Sequence, residues 1–298
     1  MAADIGFHPG ELAVQRRAGV REEADRLSRM LGPARLGGGI AAFLGMRTFA
    51  VITARDAAGR LWTSPLAGPP GFLEVTGPTT LAVHASPAEG DPLSRLPSGQ
   101  QAGLVVIEFS ARRRVRLNGV LAAAADGTLT VEVEQAYGNC PQYIRPRVLR
   151  PDEFGRTSGS AVRQHAALSP PEAALVRAAD TFFLGTVNPE RGGDASHRGG
   201  PAGFVRVTAG GDGLWWPDYP GNNLFNSFGN LAVDPEAALL FLDFGAGRTL
   251  QLSGRAEVDW DAAVQPGDDG RTGRRVAFAV ERVAARGPFP SSDEDRAR

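Results

Sequence analysis

The chain has 298 residues, room for about two domains. Its 32 basic and 33 acidic residues leave a net charge of −1, which provides no electrostatic footprint for nucleic acid or an anionic membrane. All 32 basic residues are Arg, which excludes Schiff-base, phosphate-loop and Ser-x-x-Lys chemistry; any phosphate must be held by Arg, backbone N–H groups, or Ser, Thr and Asn side chains.

The start, Met1 to Gly10, lacks a basic region followed by an apolar core, and no apolar run approaches a membrane span, so a cytoplasmic protein is expected. One Cys, Cys140, excludes an intrachain disulfide, and with the scattered His8, His84, His165 and His197 it predicts no metal site. Residues 10–31 carry Leu12, Val14, Ala18, Leu27, Met30 and Leu31 among Glu and Arg, which predicts a helical lead-in broken at Gly19 and packed on the first domain. From Phe49 onward short apolar runs alternate with Gly, Pro and Asp. Strands are predicted at Phe49–Thr53, Gly71–Val75, Leu81–Val83, Leu104–Phe109, Val115–Leu117 and Leu129–Val133, a spacing that suggests an antiparallel barrel.

Residues 151–169, rich in Gly, Ser, Arg and Asp, are predicted to be a linker. Ser169 then caps a helix with Pro171 and Glu172 in its first turn. Second-half strands come at Phe182–Val187, Gly203–Val207, Gly213–Trp216, Ala238–Phe244, Thr249–Val258 and Val276–Val280. The predicted division is 1–150 for the lead-in and first barrel, 151–169 for the linker, 170–283 for the second barrel, and 284–298 for a tail with no reason to be ordered.

The two halves are copies. Ser64 to Val75 lines up with Ser196 to Val207, with Ser, Gly, Pro, Gly, Phe and Val recurring at one offset (196 − 64 = 132). Leu104 to Phe109, with Arg113 and Gly119 after it, matches Leu239 to Phe244 with Arg248 and Gly254 (244 − 109 = 135). A duplicated domain can build at its internal seam the kind of site a homodimer builds between subunits.

Three segments could carry chemistry. Pro217 to Leu231 is the most loaded: Asn222 is predicted to cap a short helix bearing Leu224, Phe225, Phe228 and Leu231, its free N–H groups suited to an anion, against the alternative of an ordinary polar loop. In Ser196-His197-Arg198-Gly199-Gly200, Arg198 offers a phosphate grip and the glycines allow a flat ligand to approach, against the alternative of a flexible loop with a solvated Arg. The first copy has Pro65, Leu66, Ala67 and Gly68 there, so the polar equipment is one-sided. Arg112, Arg114 and Arg116 share one face of a strand, either a solvated edge or an anion-binding wall. Cys140, before Pro141, reads as structural.

At Phe7 to Gln15, Arg112 to Gly119, Gly138 to Ile144, Ser196 to Val207 and Pro217 to Pro235 the chain resembles the flavin-nucleotide-binding branch of the pyridoxamine 5′-phosphate oxidase-like split barrels, in its tandem form. The resemblance implies a mainly β protein with flanking helices, built as two tandem FMN-binding split barrels, with FMN at the seam. It implies that Ser196, His197, Arg198, Gly199 and Gly200 line the flavin, that Tyr219, Asn222, Asn223 and Ser227 take the ribityl-phosphate side, and that Arg248 and Thr249 stand where the oxidases have a flavin-flanking Arg-Gln pair. The oxidases' Ser-Arg-Lys phosphate grip is replaced by Asn222 and Asn223, and their C-terminal Arg-x-His element has no counterpart, so pyridoxamine phosphate is not the expected substrate. The expectation is an FMN-dependent oxidoreductase acting on a small-molecule substrate, with a nicotinamide as candidate electron donor. It is a pseudo-dimer within one chain, with further homodimerisation left open. The alternatives are a non-catalytic flavin, deazaflavin or haem carrier, and a double barrel whose site has decayed.

Overall fold

The computed structural model describes residues 6–138, 141–149, 162–262, 270–287 and 289. Helices α1 (Pro9–Arg17), α2 (Arg21–Leu27) and α3 (Gly39–Gly45) precede strands β1 (Phe49–Arg55), β2 (Leu61–Ala67), β3 (Leu73–Val75), β4 (Thr80–Val83), β5 (Gln100–Glu108), β6 (Arg113–Ala125) and β7 (Thr128–Gly138). The second half holds β8 (Arg163–His165), α4 (Pro170–Ala178), β9 (Thr181–Asn188), β10 (Gly192–Gly199), β11 (Arg206–Val207), β12 (Gly213–Pro217), α5 (Asn226–Leu231), β13 (Glu236–Leu242), β14 (Thr249–Asp259) and β15 (Arg275–Arg286). No described helix is long and apolar enough to cross a membrane.

The duplication read from the sequence holds strand for strand. One antiparallel sheet runs β2-β1-β5-β6-β7-β4-β3 and the other β10-β9-β13-β14-β15-β12-β11, the same order in both. Registers match as well: Ser64 faces Ile52 and Ser196 faces Leu184, while Leu104 faces Leu117 and Leu239 faces Leu252. Each copy has a bulge at one equivalent place, Asn118/Gly119 and Ser253/Gly254. A Cβ on Gly119 would lie 2.0 Å from the Glu132 carbonyl oxygen, and one on Gly254 would lie 2.0 Å from that of Ala279. The repeated glycine is therefore required by the bulge, where the partner backbone crowds the strand.

Continuous apolar runs such as Phe49 to Ile52 and Leu104 to Ile107 arise from burial on both faces. Ile52, Leu104 and Val106 point into the first core with Leu117 and Val131, while Leu184, Leu239, Phe241 and Leu252 fill the second. The alternate residues of these strands, Phe49, Val51, Val105 and Ile107, meet Phe183, Ala195, Leu240 and Leu242 in a third cluster between the halves. With a side-chain period of two, one face serves the barrel and the other the seam. The seam has pseudo-twofold character: β10 packs on β5 and β6, and β2 packs on β13 and β14.

Glycine sets the closeness of that contact. A Cβ on Gly103 would sit 2.6 Å from Asp194 Cα in the other half, and one on Gly185 would sit 2.4 Å from Thr63 Oγ1. Overpacking a core typically costs ~1–3 kcal/mol, and more where backbone is the obstacle. Gly103→Val should therefore lower the stability measured by urea unfolding by at least that amount, while Gly45→Ala, which meets nothing within 4 Å, should be neutral or stabilising. Equal effects at the two positions would refute the close approach.

Several boundaries differ from the sequence reading. The lead-in breaks between α1 and α2 as expected, but α1 packs on α5 of the second half, with Val14 in that core. Its buried polar residues find their partners there: Gln15 Nε2 donates to the Leu224 carbonyl at 3.0 Å. Beyond α2, Pro33 bridges Gln135 of the first sheet. Strands β2 and β10 are absent from the sequence expectation, because Pro65 and the glycines of β10 look like loop; both are buried by the opposite half, which overrides propensity. The predicted strand Gly203–Val207 is shortened to β11, since Phe204 closes a turn on Pro201. Within the predicted linker, β8 pairs with β15, and β15 continues three residues into the segment read as tail. Cys140, residues 151–161 of the linker, and residues 288 and 290–298 of the tail lie outside the described residues.

Candidate functional site

On the β10 side of the seam, side chains from both halves converge. β10 is buried at every position but Arg198, which is half-buried. Its Asp194, 1% exposed, accepts two hydrogen bonds of 3.2 Å from Arg116 on β6, one of 3.3 Å from Asn118 Nδ2 and one of 3.2 Å from Ser227 Oγ on α5. Burial works against the charge on Arg116, but Asp194 and Tyr137 together more than restore it, and the guanidinium is held above its ordinary value.

Two adjoining cavities, of ≈ 80 and ≈ 100 Å³, open above this network and share Arg116, Arg198, Asp218, Tyr219, Gly221 and Asn222. Among the described residues, their lining holds the guanidiniums of Arg114, Arg116, Arg198 and Arg274 against one carboxylate, that of Asp218. Asp218 is spoken for, accepting from Arg274 Nε at 3.0 Å. Burial pushes its carboxyl up, with Arg274 and Arg198 opposing. Arg198 is pushed down to about 10 by burial and by Arg116, and its Nε is buried without a hydrogen-bond partner. The groove carries an excess of positive charge with hydrogen-bonding capacity to spare, the condition of an anion seat.

His197 adds a donor. Burial and four neighbouring arginines push it well below the ordinary imidazole value, so it is neutral. Arg114 lies 2.8 Å from Nδ1, and a guanidinium can only donate, so Nδ1 accepts and the ring proton sits on Nε2. That Nε2 is buried without a partner. The ring is fixed between the edges of Phe109 and Phe183.

The mouth is aromatic. Tyr143 stacks on Tyr219 at 5.2 Å and 27°, and its hydroxyl donates to the Pro220 carbonyl at 3.0 Å. The loop between β12 and α5 carries two left-handed side-chain-bearing residues, Asn223 at φ 59° and Phe225 at φ 57°. Such backbone is strained and clusters at ligand sites.

Of the residues singled out from sequence, His197, Arg198, Gly199, Tyr219, Asn222, Asn223 and Ser227 line the cavities. Ser196 lies beneath them, donating to the Leu184 carbonyl at 3.2 Å. Gly199 and Gly200 are glycine for packing: a Cβ would lie 2.1 Å from the Tyr143 carbonyl oxygen at one and 2.6 Å from the Phe204 ring at the other. Asn222 does not cap a helix over 224–231; its Oδ1 accepts from Leu224 N at 3.3 Å in a turn, and α5 begins only at Asn226.

Arg248 and Thr249 are placed elsewhere. Arg248 Nε donates to Asp243 at 2.8 Å, in a depression also lined by Arg147 and Asp180. Because each half packs on the other's hairpin, the counterpart of this pair that reaches the groove comes from the first half: Arg114, at the repeat offset from Thr249 (249 − 114 = 135). Arg114 and Arg116 are legible in the sequence as an alternating basic run. Arg274, distant in sequence, gives no signal there.

The pseudo-equivalent position in the other half is closed by its own side chains. Gln251 stands for Arg116, and its Nε2 donates to Ser64 Oγ at 2.8 Å and to Asp91 at 3.1 Å. Ser64 Oγ donates to Asp91 at 2.6 Å. Asp91, pushed up to about 6 by burial, is the carboxylate of this buried network.

Two antiparallel sheets of one topology, paired across a seam with a basic groove, define the class of tandem split barrels. Residues 169–269 match the family model described as pyridoxamine 5′-phosphate oxidase. The second barrel thus belongs to the pyridoxamine 5′-phosphate oxidase-like split-barrel fold family. Solved structures similar to this chain include HupZ of Group A Streptococcus (13% identity, covering 39% of this chain and 91% of that one, TM-score 0.32). A protein of Clostridium acetobutylicum related to general stress protein 26 (16%, 41% and 92%, TM-score 0.29) and a FAD-binding protein of Mesorhizobium loti (13%, 43% and 98%, TM-score 0.29) are also similar. No curated protein matches the chain.

The donor set fits a phosphorylated flavin: Arg116 Nε, Arg198 Nε and His197 Nε2 are buried donors without acceptors among the described residues, on side chains that line the cavities. Each cavity is smaller than the ~300 Å³ at which small-molecule sites begin. A three-ring ligand therefore spans both only if residues common to them give way.

Proposed function

We propose that the chain binds FMN in the seam groove and works as an FMN-dependent oxidoreductase on a small organic substrate. The observation that supports this most is the excess of guanidinium over carboxylate in a groove to which both split barrels contribute. Arg198, with Asn222 beside it, would hold the phosphate; Arg114 and Arg116 would offset negative charge on the ring system. His197 would donate from Nε2 to a ring carbonyl or other acceptor. Tyr219 offers a stacking face once Tyr143 is displaced. When bound, FMN supplies hydride transfer at its N5 position. One ligand per chain is expected, since Asp91 closes the pseudo-equivalent place.

A second reading, a non-catalytic flavin, deazaflavin or haem carrier, is favoured by the acid–base inventory. His197 is held as a donor by Arg114 and Asp218 is tied to Arg274, so neither is free to shuttle protons.

An absorbance spectrum of the purified protein, with mass identification of the released ligand, tests both. The expected result is about one equivalent of FMN per chain, bleached by NADH or NADPH and reoxidised over many turnovers. Bound flavin inert to all donors would leave the carrier reading. A colourless protein that takes up no added FMN, deazaflavin or haem would overturn both.

A further inference from the structure

The residues that line the groove are held from below by α1. His8 Nε2 lies 3.1 Å from Asn230 Oδ1, Glu11 Oε1 accepts from Asn226 Nδ2 at 3.1 Å, and Gln15 Nε2 donates to the Leu224 carbonyl at 3.0 Å. These residues, at helical spacing on one face, are 3%, 2% and 0% exposed. The helices touch at backbone distance: a Cβ on Gly10 would lie 2.2 Å from the Gly229 carbonyl oxygen, and one on Gly229 would lie 2.5 Å from Glu11 Cγ. So close a fit leaves α5 no room to move without α1. Asn226 is followed by Ser227, which donates to Asp194, the carboxylate that anchors Arg116. One connected path thus runs from Glu11 to the groove floor.

We propose that Glu11 is a positioning residue for the groove, and that its protonation and the arrival of an anion above Ser227 and Arg116 favour one another. The proposal rests on the reading of the groove as an anion seat. Groups facing Glu11 come from every element around it: His8 from the N-terminal cap of α1, Asn226 and Gly229 from α5, Arg191 from the β9–β10 turn, Asp194 from β10 and Tyr137 from β7. His8 is pushed down to about 4 by burial and stays neutral near pH 7. Glu11 is pushed up to about 7, chiefly by burial, against its hydrogen bonds from His8 N and Asn226 and the charge of Arg191, with Asp194 pushing the same way as burial. An incoming anion adds a further negative charge beside Asp194, and a buried carboxyl already near its titration point answers by taking up a proton. By linkage, anion affinity then rises as pH falls through neutrality.

The test uses sulfate, whose charge is constant between about pH 6 and about pH 8, on the full chain. Calorimetric titration of the wild-type protein should give affinity roughly fivefold higher at the acid end, beyond whatever slope Glu11→Gln retains from Asp218 and other groups. The amide keeps an acceptor for Asn226 and cannot titrate, so a purely structural role for Glu11 would leave the two slopes equal. Equal slopes with intact sulfate binding overturn the inference and spare the groove. No sulfate binding by either protein at any pH overturns the groove reading, and the inference with it. Should Glu11→Gln fail to fold, the carboxyl carbon resonance of the glutamate titrating near neutrality is monitored in the wild-type protein: its midpoint must move up with sulfate, and an unmoved midpoint overturns the proposal.

Discussion

Arg116→Ala should destabilise the protein by about 3–5 kcal/mol, the cost of stripping one partner from a buried ion pair. Asp194 is 1% exposed and takes two of its hydrogen bonds from that guanidinium; Asn118 and Ser227 remain but bring no charge. The loss falls on the seam, because Arg116 belongs to one barrel and Asp194 to the other. Urea unfolding should show a lower midpoint and, if the barrels separate first, a second transition. Arg116→Ala with Asp194→Ala should recover much of the loss, since no unbalanced charge stays buried. A single variant as stable as the wild type would mean that the pair does not hold the seam.

Arg198→Ala should act with opposite sign on stability and on binding. The Arg198 side chain is a half-buried cation pushed down by burial and by Arg116, so its removal should leave the ligand-free protein as stable or more so. The same change removes a charge-assisted contact worth ~1.5–3 kcal/mol to a bound anion, so FMN should bind roughly 10- to 100-fold more weakly. Thermal melts with and without FMN give both numbers from one protein. Unchanged FMN retention would remove Arg198 from the site, and a loss of stability without ligand would show it to be a packing residue.

Much of the site is readable in the sequence. Tyr219, Asn222, Asn223 and Ser227 sit together because one short segment carries them, and Arg114 and Arg116 are visible as an alternating basic pair. Which barrel supplies which wall is not. Arg248 and Thr249 occupy the repeat position of Arg113 and Arg114, and sequence treats the two copies alike. Packing breaks the tie: β10 lies on β5 and β6, so the second barrel's loop meets the first barrel's arginines, while Arg248 turns to Asp243. Likewise α1 looks like part of the first barrel because it precedes it, yet His8, Glu11 and Gln15 find their partners in and beside α5.

By itself the sequence determined the duplication, the order of most strands, the absence of lysine chemistry and the one-sidedness of the polar equipment, because each is written in local pattern or in repetition at a constant offset. Tertiary structure alone decided that β2 and β10 are strands, that Asp91 seals one half of the seam, and that Arg116 is buried against Asp194. Those outcomes depend on how two barrels meet, and contacts between residues far apart along the chain leave no periodic trace within either partner.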